Sequence, residues 1–156
     1  MTIIVYSSHT GSTKKYAESL SSSTGLKCYS VSEEYPDYKI IYMGWIRGPR
    51  IAGLGSVDRR KLIAVAAVSL DSNPDFGWNK VKDVNKITVP LYTLRGWIDR
   101  SKLNIIEKIF FTFLCAFYKL RGLDEHTKPL FDAMMEGGSF YDESSLEQLI
   151  LFCSTR

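Results

Sequence analysis

The chain has 156 residues, the size of one domain with a single buried core, and this excludes a multidomain enzyme. Hydrophobic residues at 45% and charged residues at 24% exclude a disordered or fibrous chain. Lys and Arg number 20 against 17 Asp and Glu, and a net charge of +3 is too small and too mixed to mark a nucleic-acid footprint.

Ile3-Ile4-Val5-Tyr6 is a short β-branched run bounded by polar residues, which predicts a strand buried on both faces. From Thr13 the positions of Tyr16, Ala17 and Leu20 give a helix with one packing stripe. Leu26 to Val31 reads as a second strand and Lys39 to Met43 as a stronger third. The interval between them is too short for a helical crossover, so an irregular connection is expected. Gly44 to Gly55, with four glycines and Pro49, predicts a long loop, and Leu62 to Val68 a continuous apolar strand. Asp71 to Trp78 is another loop. Ile87 to Leu94 is a fifth strand whose Pro90 suits a sheet edge or a bulge. Ser101 to Arg121 predicts a long helix, with Ser101 as N-cap and Gly122 as its stop, and Ser144 to Phe152 a last one. Strands alternating with helices argue for an α/β fold with a mostly parallel sheet covered on both faces.

In such a sheet, ligands bind beyond the carboxyl ends of the strands at the switch point. The first loop there, Ser7-Ser8-His9-Thr10-Gly11-Ser12-Thr13, brings hydroxyls, a glycine and a helix N-terminus together. Freed backbone N–H groups and hydroxyl donors suit a phosphate dianion. The loop is neither G-x-x-x-x-G-K-[ST] nor G-x-G-x-x-G, so ATP and dinucleotides lose support. A capped turn with no ligand has the same composition.

Position by position, Ile4 to Thr13 resembles the flavodoxin phosphate-loop signature, an apolar strand ending in an aromatic and running into S-x-T-G-x-T. Ile40 to Gly44 followed by Trp45-Ile46-Arg47-Gly48 looks like the third strand and first flavin-wrapping loop of that family. From Leu94-Arg95-Gly96 to Asp124 the layout is similar to the subfamily that includes menaquinone-dependent protoporphyrinogen dehydrogenase. The resemblance implies a flavodoxin-like doubly wound sheet of five parallel strands in the order 2-1-3-4-5, with helices on both faces and FMN at the strand tips. It implies that Ser8, Thr10, Gly11, Ser12 and Thr13 hold the phosphate, with His9 contributing its backbone N–H, its ring being a further candidate. Gly44, Trp45, Ile46, Arg47 and Gly48 would line the isoalloxazine, and Ser69, Leu70 and Asp71 would form its other wall. Many relatives have an aromatic where Arg47 stands, so Trp45, Phe76 and Trp78 are the candidate stacking partners. Gly44 and Gly48 are candidates for a peptide that rotates toward the flavin N5.

The implied function is an FMN-dependent electron carrier or small oxidoreductase, in its most specific version a quinone-linked protoporphyrinogen dehydrogenase, with a redox protein or a quinone as partner. The alternative is a flavodoxin-like interaction module that has lost flavin and is not an enzyme. The two histidines, His9 and His126, lack carboxylates at metal-ligand spacing, so no metal site is expected. Cys28, Cys115 and Cys153 have no C-x-x-C spacing and suit a reducing cytoplasm. No secretory signal is expected at the N-terminus. The longest uncharged apolar run, Ile109 to Tyr118, has ten residues against the roughly 20 that span a bilayer.

The long helix is apolar on more than one side. Leu103, Ile106, Phe110, Phe113, Leu114 and Phe117 form a stripe expected to pack on the sheet. Ile105, Ile109, Phe111, Cys115 and Tyr118 make a second face, flanked by Arg100, Lys102, Lys108, Lys119 and Arg121. The expected uses of that face are peripheral contact with the inner face of a membrane, a homodimer, or burial under the segment Leu123 to Tyr141.

Overall fold

The computed structural model describes residues 1–70 and 77–155. Five parallel strands form the main sheet: β1 (Thr2–Ser7), β2 (Cys28–Ser30), β3 (Lys39–Arg47), β4 (Leu62–Ser69) and β5 (Leu91–Arg95). Their order across the sheet is 2-1-3-4-5. This is the flavodoxin-like doubly wound order, which switches direction between β1 and β3.

Successive side chains alternate between the two faces, as the pleat requires. Ile3, Val5, Ile40, Tyr42, Val65 and Ala67 point to one core and Ile4, Ile41, Met43, Ala64, Ala66 and Val68 to the other. The second core is closed by α1 (Ser12–Thr24), through Tyr16, Ala17 and Leu20, and by α5 (Glu147–Ser154) with its lead-in, through Leu146 and Leu149. The first is closed by Ile51, Leu54 and Val57 and by the short α2 (Trp78–Val84) with Val81. Tyr16 fastens α1 to the strand tips, its hydroxyl donating to the Arg95 carbonyl at 2.6 Å and accepting the Asp142 N–H at 3.0 Å. The connection between β2 and β3 is irregular and β5 is an edge strand, both as expected.

Several expectations are corrected. Gly44 to Gly55 is not one long loop. β3 continues to Arg47 and turns through Gly48-Pro49 into an antiparallel return strand, Arg50–Ile51. Gly48 has φ 60°, and glycine followed by proline suits a two-residue hairpin turn that begins with positive φ. The buried Asn85 secures this hairpin, accepting from Ile51 N–H at 3.0 Å and donating to the Pro49 carbonyl at 2.7 Å. Pro90 precedes β5 rather than interrupting it.

The long helix, α3 (Ile105–Arg121), starts after Ser101. Asn104 caps it, accepting from Glu107 N–H at 2.9 Å while the Glu107 carboxylate accepts Asn104 N–H at 2.9 Å, a full capping box. Just before it, β6 (Trp97–Ile98) pairs antiparallel with β7 (Gly138–Ser139), and this ribbon carries α3 and α4 (Thr127–Glu136) outboard of the sheet. The faces of α3 are therefore divided differently from the expected ones: Leu103 of the first stripe is buried and Leu114 partly so, Ile105 and Ile109 of the second face are exposed, and the expected cover from the segment Leu123 to Tyr141 is found over Phe111, Cys115 and Tyr118. Phe111, Leu114, Cys115 and Tyr118 belong to a small core with Leu130, Phe131 and Met134 of α4. Ile106, Phe110, Phe113 and Phe117, expected on the sheet, are exposed. Both sheet faces already have their covers, so α3 finds its partner in α4. No helix of the described residues is long and apolar enough to cross a membrane.

Candidate functional site

The register aligns the carboxyl ends of the strands, with Ser7 beside Gly44, Gly44 beside Ala67, and Ser69 beside Arg95. The loop Ser7 to Thr13 thus emerges at the switch point, near the end of β3 that carries Trp45. Gly11 is the N-cap of α1, with φ 105° and no side-chain capping bond. The first helical closure is Lys15 N–H to the Gly11 carbonyl at 3.0 Å, so the N–H groups of Ser12, Thr13 and Lys14 have no acceptor inside the helix. Ser8 Oγ is buried and has no hydrogen-bond partner among the described residues, an arrangement native structures rarely leave without a use.

The other members of the loop are engaged. Thr10 Oγ1 donates to the Trp97 carbonyl at 3.1 Å, and Trp97 Nε1 donates back to the Thr10 carbonyl at 2.9 Å. Lys102 Nζ reaches the same carbonyl at 3.5 Å. The Trp97 ring lies over Gly11, where a Cβ would stand 3.4 Å from it. Ser12 and Thr13 are buried, and Ser12 packs against Gly96, where a Cβ would come within 2.8 Å of the Ser12 hydroxyl. His9 stacks on Trp45 with ring centroids 5.5 Å apart, and its Nε2 lies 3.0 Å from the Glu107 carboxylate. That contact connects the loop to the first turn of α3.

Burial opposes charge on Glu107, but the Asn104 N–H, His9 and the nearby Arg47 outweigh it and hold the carboxyl below the ordinary glutamate range. A carboxylate whose folded value is lowered adds stability above its unfolded value, and that stability disappears as the pH falls through the folded value. The stability difference between the wild type and Glu107→Gln is therefore expected to shrink below about pH 4.5. Urea melts between about pH 3 and 7 check this, and a constant difference would show that the ionised carboxylate plays no part.

The sequence-predicted wall residues divide into three groups. Trp45 and Ile46 lie partly buried near the end of β3, with Arg47 exposed beside the turn. Gly44 is inside β3, not in a loop. A Cβ there would meet Ile51 Cγ2 at 2.6 Å and the Ala52 carbonyl at 2.8 Å, so it is packed rather than free to rotate. Gly48 is the glycine that stands in a turn. Ser69 ends β4 and its carbonyl accepts Gly96 N–H at 2.8 Å, while Leu70 packs toward α3 and α4. Trp78 packs on the sheet core from α2. Asp71 and Phe76 lie outside the described residues. Cys28, Cys115 and Cys153 are free thiols.

Sequence reasoning passed over Trp97, Lys102 and Glu107, which hold the loop. Arg95-Gly96-Trp97 directly after a strand was the available signal, since a glycine at a strand tip marks close approach of another backbone. His126 is the exposed N-cap of α4, its N–H bonded to Asp124 Oδ1 at 3.0 Å.

No family model matches the chain, and no curated protein matches it. Among solved structures, one described as a "putative flavoprotein" from Bacteroides eggerthii aligns over 59% of this chain and 84% of its own. Its identity is 12% and its TM-score 0.41. The fold assignment rests on the strand order itself.

Proposed function

We propose that the chain binds FMN through the Ser8 to Thr13 loop and serves as a flavodoxin-like redox protein. The observation that carries this reading is the buried Ser8 Oγ, without a partner among the described residues, in the loop that runs into the uncapped N-terminus of α1 at the switch point of the sheet. A phosphate there would accept from that hydroxyl and from the free N–H groups of Ser12, Thr13 and Lys14. Bound FMN would supply the electron chemistry, and the protein its position and surroundings. Trp45, Ile46, Arg47 and Gly48 would flank the ring from the end of β3, with Ser69 and Leu70 opposite. Trp97 would keep the loop in shape by holding both polar groups of Thr10.

The more specific reading, a reductase that passes electrons to a quinone or oxidises protoporphyrinogen, rests on the sequence resemblance. The competing reading, a module without flavin, draws on the contacts that close the loop on itself: the Thr10–Trp97 pair and the His9–Trp45 stack. One measurement separates them. Protein purified from cells, or refolded with FMN, is expected to be yellow, with one equivalent of FMN released on denaturation. A colourless protein that leaves FMN fluorescence unchanged in titration would establish the module.

A further inference from the structure

Only one side of α3 touches the rest of the described protein, the side that bears Phe111, Leu114, Cys115 and Tyr118. On the other, Ile105, Ile106, Ile109, Phe110, Phe113, Phe117 and Leu120 have relative exposures from 49% to 88%. At about 100° per residue these seven and Ala116 fill one continuous arc with no polar residue in it. Seven large apolar side chains in solvent exceed the patch of roughly 300–600 Å² that a monomer ordinarily tolerates.

The borders of the arc say what covers it. Arg121 stands on one edge, its guanidinium 4.7 Å above the Phe117 ring, and Lys108 and Lys119 stand beyond Thr112 on the other, Lys119 with its Nζ 5.9 Å from the Phe131 ring of α4. The single acid of α3, Glu107, lies on the far side, turned toward His9 and the Asn104 N–H. We propose that this face of α3 rests on an anionic lipid bilayer, its isoleucines, phenylalanines and leucine at the acyl boundary and its basic rim among the headgroups. A Phe- and Leu-bearing face with Lys and Arg at its margins is the arrangement of an interfacial helix, and long basic side chains reach outward from such a depth. A second copy of the chain would bring the cations of one α3 against those of the other, with no acid of α3 on either edge to meet them. The capping box and the packing on α4 hold the helix formed beforehand, so no ordering cost falls on binding. The inference is independent of FMN binding.

The test is sedimentation of the full chain with vesicles of pure phosphatidylcholine and with vesicles carrying about one-third phosphatidylglycerol. The expected result is binding to the anionic vesicles that falls roughly tenfold or more between about 0.1 and 0.5 M salt. The exposed double variant Phe110→Ser/Phe113→Ser and the rim variant Lys108→Ala/Lys119→Ala/Arg121→Ala should each lose most of it, with circular dichroism unchanged. Phe111 and Tyr118 are not suitable probes, because they pack on α4. Failure to sediment with anionic vesicles overturns the proposal, as does equal binding to neutral ones. So does a dimer in analytical ultracentrifugation that Phe110→Ser/Phe113→Ser dissociates, since the second copy would then be the cover.

Discussion

Gly53→Ala is expected to destabilise the protein by about 2–5 kcal/mol, a large part of the roughly 5–15 kcal/mol that holds an ordinary domain together. Gly53 has φ 73°, a left-handed conformation that costs any residue with a Cβ about 1–2 kcal/mol. The added methyl would also collide with the Tyr42 hydroxyl and stand 2.9 Å from Ser7 Cβ, and overpacking of this kind costs about 1–3 kcal/mol more. Tyr42 has no room to yield. It is fully buried, its hydroxyl donates to the Ala52 carbonyl at 2.6 Å, and burial pushes the phenol far above its usual range. Denaturant melts check the effect, with Gly55→Ala as the control. Gly55 has open space around its Cβ position, so that variant should shift stability by less than about 0.5 kcal/mol. Equal effects at the two glycines would show that the contact with Tyr42 and Ser7 does not constrain the chain. Because Ser7 begins the candidate phosphate loop, Gly53→Ala should also weaken any ligand held there.

The second large effect is expected at Ser8. In the proposed FMN reading, Ser8→Ala removes a hydroxyl that no group of the described residues uses. The stability of the ligand-free protein should therefore hold or rise, since an unmet buried donor costs about 1–3 kcal/mol. FMN should bind roughly 10- to 100-fold more weakly, the loss of one charge-assisted bond to a phosphate, while riboflavin is little affected. Thr10→Ala should behave differently. Its hydroxyl holds the Trp97 carbonyl, so the ligand-free protein should lose about 1 kcal/mol as well as FMN affinity. Fluorescence titrations with both ligands, beside thermal melts, distinguish the pair. Equal losses for FMN and riboflavin would remove the phosphate from this loop.

The strands and the position of the loop were legible because they depend on local pattern. Ile3 to Tyr6, Ile40 to Met43 and Leu62 to Val68 are short continuous apolar runs bounded by polar or turn residues, and they lie in β1, β3 and β4. Ser7 to Thr13 lies between such a run and the Tyr16, Ala17, Leu20 stripe, so its place at a strand tip and helix start followed directly. The chain from Gly44 to Gly55 misled because glycine marks two opposite situations. At Gly48 it supplies a turn, while at Gly44 it leaves the space that Ile51 and the Ala52 carbonyl fill. A sequence does not show which atoms press on a missing Cβ.

For α3 the sequence by itself determined that a helix would form and where it would stop, through the length of its apolar run and Gly122. It also determined that the helix would be too apolar to stand alone. Which side would be buried was decided only by the tertiary structure, because apolar residues occupy most of the circumference and periodicity then has no preferred face. The ribbon of Trp97–Ile98 with Gly138–Ser139 turns the chain away from the sheet, and α4 arrives to cover Phe111, Leu114, Cys115 and Tyr118. The same long-range pairing brings Trp97 onto Gly11 and Glu107 to His9, contacts spanning 87 residues from Thr10 and 98 from His9. Local propensity acts over a few residues, and contacts at such separations exist only once the sheet has brought its strand tips together.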